Sequence, residues 1–428
     1  MNGMKRGLFY TLGLSKGTFS RNFLPVLAVL VLTVMTVTPI WYVKKYLMAL
    51  WILLFVITLG YISNSNIKLK RLGVLGIAFI AICTIYKLIG VSSASMAYCL
   101  TPLVYFGPVV ALIIVEKCYN ENQVRFLFHF ISLAIAINIL DSIRITQSYG
   151  YELVYQQLYE MLEEQGVTNL NLGGSLFVNM VVFYVDVVFL AFLKSRRVIE
   201  KVLFLLYFGI GFYFIFFISL KASAIMLMLL SILLLYIASR SGKNIGRIFF
   251  LSAFFGIVLV LFRDAIINFL ISAIDSERIT SRLIVFTSTE NVSESGTLMS
   301  RESLWLVSLK TWFGGLGNFI FGIGDHNFVD YVDTASTGVG NHSDLLDVFA
   351  RYGLMGGTIL YATIKIYYDY LKKRYGDAFK WEIAAFFILI ILMGLTKKFV
   401  AGEPPIVIFV LFPLCLRYLS YSQGILHT

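Results

Sequence analysis

Apolar residues in this chain collect into runs of about twenty positions, and the polar breaks between them are too short to hold separate soluble cores. A helix crossing a hydrocarbon layer of about 30 Å needs roughly 20 mostly apolar residues. On that criterion the pattern predicts twelve spans, near 23–41, 46–62, 72–90, 97–115, 124–143, 174–193, 200–219, 221–239, 247–270, 344–368, 379–396 and 404–421. Ser219, Leu220 and Lys221 are almost the whole break between the seventh and eighth. Merging those two spans would place the two chain ends on opposite sides of the membrane. The expected fold is all-α: a polytopic integral membrane protein of about 12 transmembrane helices, with residues 1–428 as a single membrane domain.

Composition agrees, with 59% hydrophobic and 14% charged residues, against roughly a quarter charged in soluble proteins. Mean hydropathy is +0.83. Cys83, Cys99, Cys118 and Cys415 lie scattered in or beside apolar stretches without CxxC spacing, as small buried hydrophobes do. A basic segment precedes the first apolar run, but no small-residue cleavage site follows it, so the span beginning at Phe23 is expected to be retained.

The net charge of +11 comes from dispersed short clusters, not from a basic stripe on a polar domain, which excludes nucleic acid as the partner. With the amino terminus inside, alternate loops hold Lys5, Arg6, Lys16 and Arg21; Lys68, Lys70 and Arg71; Lys117 and Arg125; Lys194, Arg196, Arg197 and Lys201; Arg240, Lys243 and Arg247; and Lys372, Lys373, Arg374 and Lys380, with Arg417 near the end. Retention of positive charge in the cytoplasm requires that alternation, and it puts both termini there. Lys44 and Lys45, in the first outside turn, are the exception.

Two outside segments are longer than connectors. Segment 144–173 carries Glu152, Glu160, Glu163 and Glu164, readable as an interfacial amphipathic helix from Tyr151 to Glu164 or as a solvated acidic lid. Segment 271–343 is the one large extracytoplasmic loop, rich in Ser, Thr and Gly, with apolar stretches at Leu304 to Leu309 and Phe319 to Ile323. A structureless loop of that length is unusual in a compact domain, which favours a working segment bearing much of the active site.

Lys221, Arg278, Arg282, Arg301, His342, Arg351, Lys397 and Lys398 all fall on the side that should be depleted of positive charge. An anionic ligand explains them, because guanidinium forks donate paired hydrogen bonds to phosphate oxygens. Lys221 near the end of an apolar run is either functional or a snorkelling boundary residue. Gly314-Gly315-Leu316-Gly317 and Phe321-Gly322-Ile323-Gly324 allow tight turns, but no lysine follows and no strand precedes, so a nucleotide loop is rejected. Asn341, Ser343 or Asp344 can cap the tenth span, leaving His342 near helix-terminal amides that favour an anion.

A histidine there can accept a proton from a sugar hydroxyl, or can be a plain interface residue. His326 is a second candidate. Asp344 can orient His342 or meet acceptor hydroxyls, and Asp347 can pair with Arg351 four residues on. No metal-ligand spacing and no nucleophile elbow is present, so no metal and no cofactor is implied. A polyprenyl pyrophosphate sugar suits such a site, since its leaving group is already activated and catalysis reduces to positioning, a base and charge stabilisation.

Arg301 with Trp305 four residues on, then Phe321-Gly322-Ile323-Gly324, then His342-Ser343-Asp344 through Gly353-Leu354-Met355-Gly356 follow one another in this order. That order resembles the bacterial O-antigen and capsular polysaccharide polymerases (Wzy) and the related O-antigen ligases. In that family a histidine opens a membrane helix after a large periplasmic loop and is followed by a leucine and a Gly-Leu-hydrophobic-Gly segment. The motif covers about 301–356, and the span pattern extends the likeness over most of the chain. Ser343 stands where asparagine is commoner, and Lys221 where the family often has an arginine.

The resemblance implies that His342 is the catalytic base, with Asp344 beside it. Arg278, Arg282 and Arg301 would hold pyrophosphate or glycan, and Lys397, Lys398 and Glu403 would complete the crevice. It further implies undecaprenyl-pyrophosphate-linked oligosaccharides as donor and acceptor, membrane lipid as surroundings, and a flippase and a chain-length regulator as partners. The location implied is the bacterial cytoplasmic (inner) membrane, with the site facing the periplasm or cell exterior. Ser343 in place of asparagine tips the expectation from ligase to polymerase. A transporter or flippase for lipid-linked glycans is the remaining alternative. It would need related halves, often with membrane-depth charges; the sequence offers no convincing repeat and no strong set of such charges.

Overall fold

A computed structural model describes residues 23–37, 49–54, 67–90, 107–109, 111–112, 120–149, 175–219, 221–240, 299–323, 343–397, 399–400 and 403–425. The described residues are helical, with no strand among them, so the all-α class holds. The helices are α1 Phe23–Val37, α2 Ile67–Gly90, α3 Glu121–Tyr149, α4 Ser175–Lys194, α5 Val198–Tyr213 prolonged by a π-helical stretch Phe214–Ser219, and α6 Ala222–Arg240. After them come α7 Met299–Trp312, α8 Leu316–Phe321, α9 Asp344–Thr396 and α10, which runs from Pro404–Ile406 through a π-helical Val407–Leu411 to Phe412–Ser422.

Six of the described helices, α3, α4, α5, α6, α9 and α10, are long and apolar enough to cross a membrane. The spans predicted at 124–143, 174–193, 200–219, 221–239 and 404–421 coincide with α3 to α6 and α10. The narrow break after Ser219 is real, since α6 restarts at Ala222. Only fragments of 46–62 and 97–115 are described. The predicted span 247–270, residues 150–173 of the smaller outside segment and all of 271–343 except 299–323 and Ser343 lie outside the described residues.

Helix α9 holds 53 residues, which as a straight rod would reach ~80 Å, more than twice the hydrocarbon thickness. Its backbone leaves helical geometry at Gly353 (φ 62, ψ −161) and Phe379 (φ −129, ψ 25). The ring of Phe387 lies 5.3 Å from that of Tyr367 and 5.0 Å from that of Tyr368, whereas twenty residues of straight helix would part them by about 30 Å. The chain therefore doubles back near Phe379. The predicted spans 344–368 and 379–396 are the outgoing and return legs of one hairpin, with the outgoing leg interrupted at Gly353.

Helix α4 is the centre of the bundle, buried along most of its length and packed on α3, α5, α6, α9 and α10. Apolar helices gain nothing by leaving lipid, so close packing and interhelical hydrogen bonds hold them. Phe386 of the return leg stacks on Phe412 at 3.8 Å and meets Phe183 of α4 at 5.7 Å. The Tyr184 hydroxyl donates to Ser132 O at 3.0 Å, and Asn138 donates to Val37 O at the end of α1. In α10, Pro413 offers no N–H to the turn before it, and that turn is π-helical. Tyr367 of the outgoing leg supplies a donor there, reaching Ile408 O at 2.6 Å.

The basic clusters meet at one end. Lys194 Nζ, at the end of α4, lies 2.6 Å from Glu382 Oε1 beside the hairpin bend and 3.4 Å from Ser239 O near the end of α6. Gln423, just past α10, donates to Lys194 O at 3.3 Å. Arg125 in the first turns of α3 pairs with Glu121 at 2.7 Å and approaches Glu200 of α5 to 4.0 Å, while Arg197 lies 3.6 Å from Glu200. Among the described residues, the basic ends of α3, α4, α5 and α6, which the sequence assigns to alternate loops, thus share one face of the bundle.

Candidate functional site

The opposite end is the mouth of the α9 hairpin. Ser343 is the cap among the three residues that could serve: its Oγ accepts from Leu346 N at 3.4 Å and donates to Gly394 O on the return leg at 3.1 Å. Its own amide donates to Asp347 Oδ2 at 3.0 Å, so cap and first turn satisfy each other. Asp344 N donates to Lys397 O at 3.2 Å, closing the two legs. Asp344 Oδ2 accepts from Phe399 N at 2.5 Å and Val400 N at 2.6 Å, fixing the chain as it leaves the return leg. The predicted catalytic Asp344 therefore serves as a backbone tie through that oxygen.

Asp347 corrects an expectation. Its Oδ1 accepts from Ser308 Oγ of α7 at 2.6 Å and its Oδ2 takes the Ser343 amide, in place of the predicted ion pair with Arg351. An amide at a helix start and a buried hydroxyl have no water to turn to, whereas a guanidinium on a long stem can reach elsewhere.

Two glycines join the remaining motif pieces. Gly322 (φ 77) and Gly353 (φ 62) both occupy the left-handed region, and their backbones touch. A Cβ on Gly353 would lie 2.3 Å from Ile320 O, and one on Gly322 would lie 2.3 Å from Arg351 O. Ile323 N donates to Ala350 O at 3.0 Å across the same contact. The α7–α8 corner is set by Trp312, whose Nε1 donates to Phe319 O at 3.0 Å while its ring meets Phe349 at 4.6 Å. Helix α2 closes the far side: Tyr86 donates to Phe321 O, and its ring meets Tyr352 at 5.5 Å.

The predicted site residues fall into three groups. Asp344 and Lys397 meet at the mouth, Arg351 lies seven residues further along α9 with its carbonyl facing Gly322, and Glu403 stands at the start of α10. Lys221 lies at the same end, its carbonyl receiving Ala224 N and Ile225 N to start α6. Of Arg301 the backbone is described, in the first turn of α7. His342, His326, Arg278, Arg282 and Lys398 lie outside the described residues. Trp305, one turn after Arg301, keeps a buried indole N–H without an acceptor among the described residues. Among the described residues no three His, Cys, Asp or Glu side chains gather as for a metal ion.

Sequence reasoning missed Ser308 and several buried polar groups. Asp186, midway along α4, is fully buried and takes a hydrogen bond from Ser231 of α6 at 2.8 Å. Arg125, His129 and Glu200 are buried as well, but they stand in the first turns of α3 and α5 at the basic end, so of these four only Asp186 lies midway along an apolar helix. An ionisable residue inside an apolar run is itself the signal, but window averaging hides a single carboxyl among twenty apolar neighbours. Ser308 gives no comparable signal. In comparisons with known proteins the chain matches no family model and no curated protein.

Proposed function

We propose that the protein is a glycosyltransferase of the bacterial cytoplasmic membrane that polymerises oligosaccharide repeat units carried on undecaprenyl pyrophosphate, making O-antigen or capsular polysaccharide. The donor is the growing glycan on its lipid, and the acceptor is one repeat unit on the same carrier. The acceptor hydroxyl attacks the anomeric carbon of the donor and gives its proton to His342. The bond from that carbon to the pyrophosphate oxygen breaks, and the lipid pyrophosphate leaves with both electrons, held by Arg278, Arg282 and Arg301. A single displacement inverts the anomeric centre. The basic end faces the cytoplasm, with both termini, and the mouth faces outward. A flippase supplies the units and a chain-length regulator limits the product.

The observation that carries this reading is the backbone contact of Gly322 with Gly353. With the Ser308 to Asp347 bond, it supports the reading by joining α7 and α8 to the first turns of α9, the described parts of the segment that carries the resemblance. The test is an in vitro reaction of purified protein with synthetic polyprenyl pyrophosphate repeat units, without nucleotide sugar, resolved by gel or mass. Wild type should give a ladder of multimers, and His342→Ala should lose it by about 10²-fold or more. An unchanged ladder in the variant sinks the base assignment alone. No ladder from wild type with authentic units moves the weight to a ligase, or to transport, where the buried Asp186 becomes the residue to probe.

A further inference from the structure

We propose that Asp347 is a positioning residue for this glycosyl transfer, an inference that rests on the polymerase reading: its carboxylate ties helix α7 to the peptide that joins His342 to Ser343. The two oxygens have separate tasks. Oδ1 accepts from Ser308 Oγ at 2.6 Å, and Oδ2 accepts from Ser343 N at 3.0 Å. That nitrogen is bonded to the carbonyl carbon of His342, and the peptide group is planar and stiff. Holding the nitrogen therefore holds the first residue of the described chain after His342.

On the other side, Ser308 follows Arg301 by seven residues of α7. Seven residues are close to two helical turns, so both positions lie on one face. One carboxylate thus couples the segment bearing the base to the helix bearing a pyrophosphate ligand. Asp347, Ser308 and Ser343 are only 4%, 3% and 1% exposed, so the bridge is shielded from competing water. Leucine would fill the same space without desolvating a charge; what the carboxylate adds is direction, with two acceptors set at a fixed angle.

The test compares wild type, Asp347→Asn and Asp347→Leu in the full-length protein, with Ser308→Ala as a milder change. Asparagine can keep both bonds, because its carbonyl accepts from Ser343 N–H while its amide donates to Ser308 Oγ, and a hydroxyl serves either way. Leucine keeps neither. The first readout is hydrogen exchange at the Ser343 amide, which needs no substrate. It should quicken by about tenfold or more in Asp347→Leu and stay close to wild type in Asp347→Asn. The second is turnover on polyprenyl pyrophosphate repeat units. There kcat should fall about 10- to 100-fold in Asp347→Leu, with KM moving less, and recover to within about threefold in Asp347→Asn. Ser308→Ala should fall between the two.

An Asp347→Asn protein as inactive as Asp347→Leu would overturn the proposal, since charge and not geometry would then matter. Wild-type exchange and turnover in folded Asp347→Leu would overturn it as well. Should Asp347→Leu fail to fold, unchanged exchange and turnover in Ser308→Ala does the same. A wild type inactive on authentic units overturns the polymerase reading and with it the catalytic meaning of Asp347, while the exchange measurement still decides whether the tie exists.

Discussion

The two ends of the bundle use their carboxylates differently. At the basic end Glu382 meets Lys194, Glu121 meets Arg125, and Glu200, which takes the Ser195 hydroxyl at 2.8 Å, stands 3.6 Å from Arg197, with no backbone amide among these partners. At the mouth Asp344 and Asp347 accept from the amides of Ser343, Phe399 and Val400 and from one serine hydroxyl. A lysine or arginine on a long stem can follow a carboxylate that shifts by an ångström, so ion pairs tolerate loose geometry. A backbone amide moves only with its helix, so a carboxylate bonded to amides fixes the chain itself. The basic end joins helices through flexible side chains, and the mouth sets where backbone atoms stand.

The largest expected effect comes from breaking the mouth at its glycine contact. Gly353→Val places a branched side chain at φ 62 and puts a Cβ 2.3 Å from Ile320 O. Left-handed strain alone costs about 1–3 kcal/mol, and the collision with backbone has no flexible group to absorb it. Folded yield in detergent should drop by more than about half, and the surviving protein should lose multimer formation by about 10²-fold. Normal yield together with normal multimers would break the comparison, because the mouth would then tolerate error as the basic end does.

A middle effect tests the other end. Glu382→Gln removes the partner of Lys194, whose side chain is 21% exposed and can still turn toward solvent. The expected cost is about 1–3 kcal/mol, seen as a lower unfolding temperature, with turnover per folded molecule close to wild type. Lys194→Met combined with Glu382→Leu should recover most of the stability, because an apolar pair of similar size carries no desolvation cost. A fall in turnover matching that of Gly353→Val would show that the basic end also sets geometry.

Much of this architecture was legible in the sequence because membrane spanning is a constraint on runs of residues. Hydropathy located α3, α4, α5, α6 and α10 closely and placed the break at Ser219 to Lys221. Charge alternation gathered Arg125, Lys194, Arg197 and Arg240 on one side, and the structure brings their helix ends together. The glycines at 322 and 353 were visible as motif pieces, but not that they touch, since contact across thirty residues leaves no periodic trace. Asp347 was misassigned for a related reason. The spacing to Arg351 is a local rule, while its actual partners are a helix-start amide and Ser308 on another helix. Asp186 escaped because one carboxyl barely changes the average of an apolar window.

The smallest expected effect lies between the two ends. Tyr367→Phe removes one hydroxyl, which donates to Ile408 O at 2.6 Å inside the π-helical stretch before Pro413. Proline cannot supply the N–H that would serve the carbonyls one turn back, so the tyrosine satisfies one of them from the neighbouring helix. A carbonyl left bare in an apolar interior costs about 1–2 kcal/mol, since neither water nor another turn of helix can reach it. Unfolding temperature should fall by a few degrees, with multimer formation unchanged at temperatures where the protein stays folded. A larger loss of turnover than of stability would mean that the π-helical stretch transmits geometry to the mouth through α10 and Glu403, extending the region where atoms must stand in fixed places from the mouth down into the bundle.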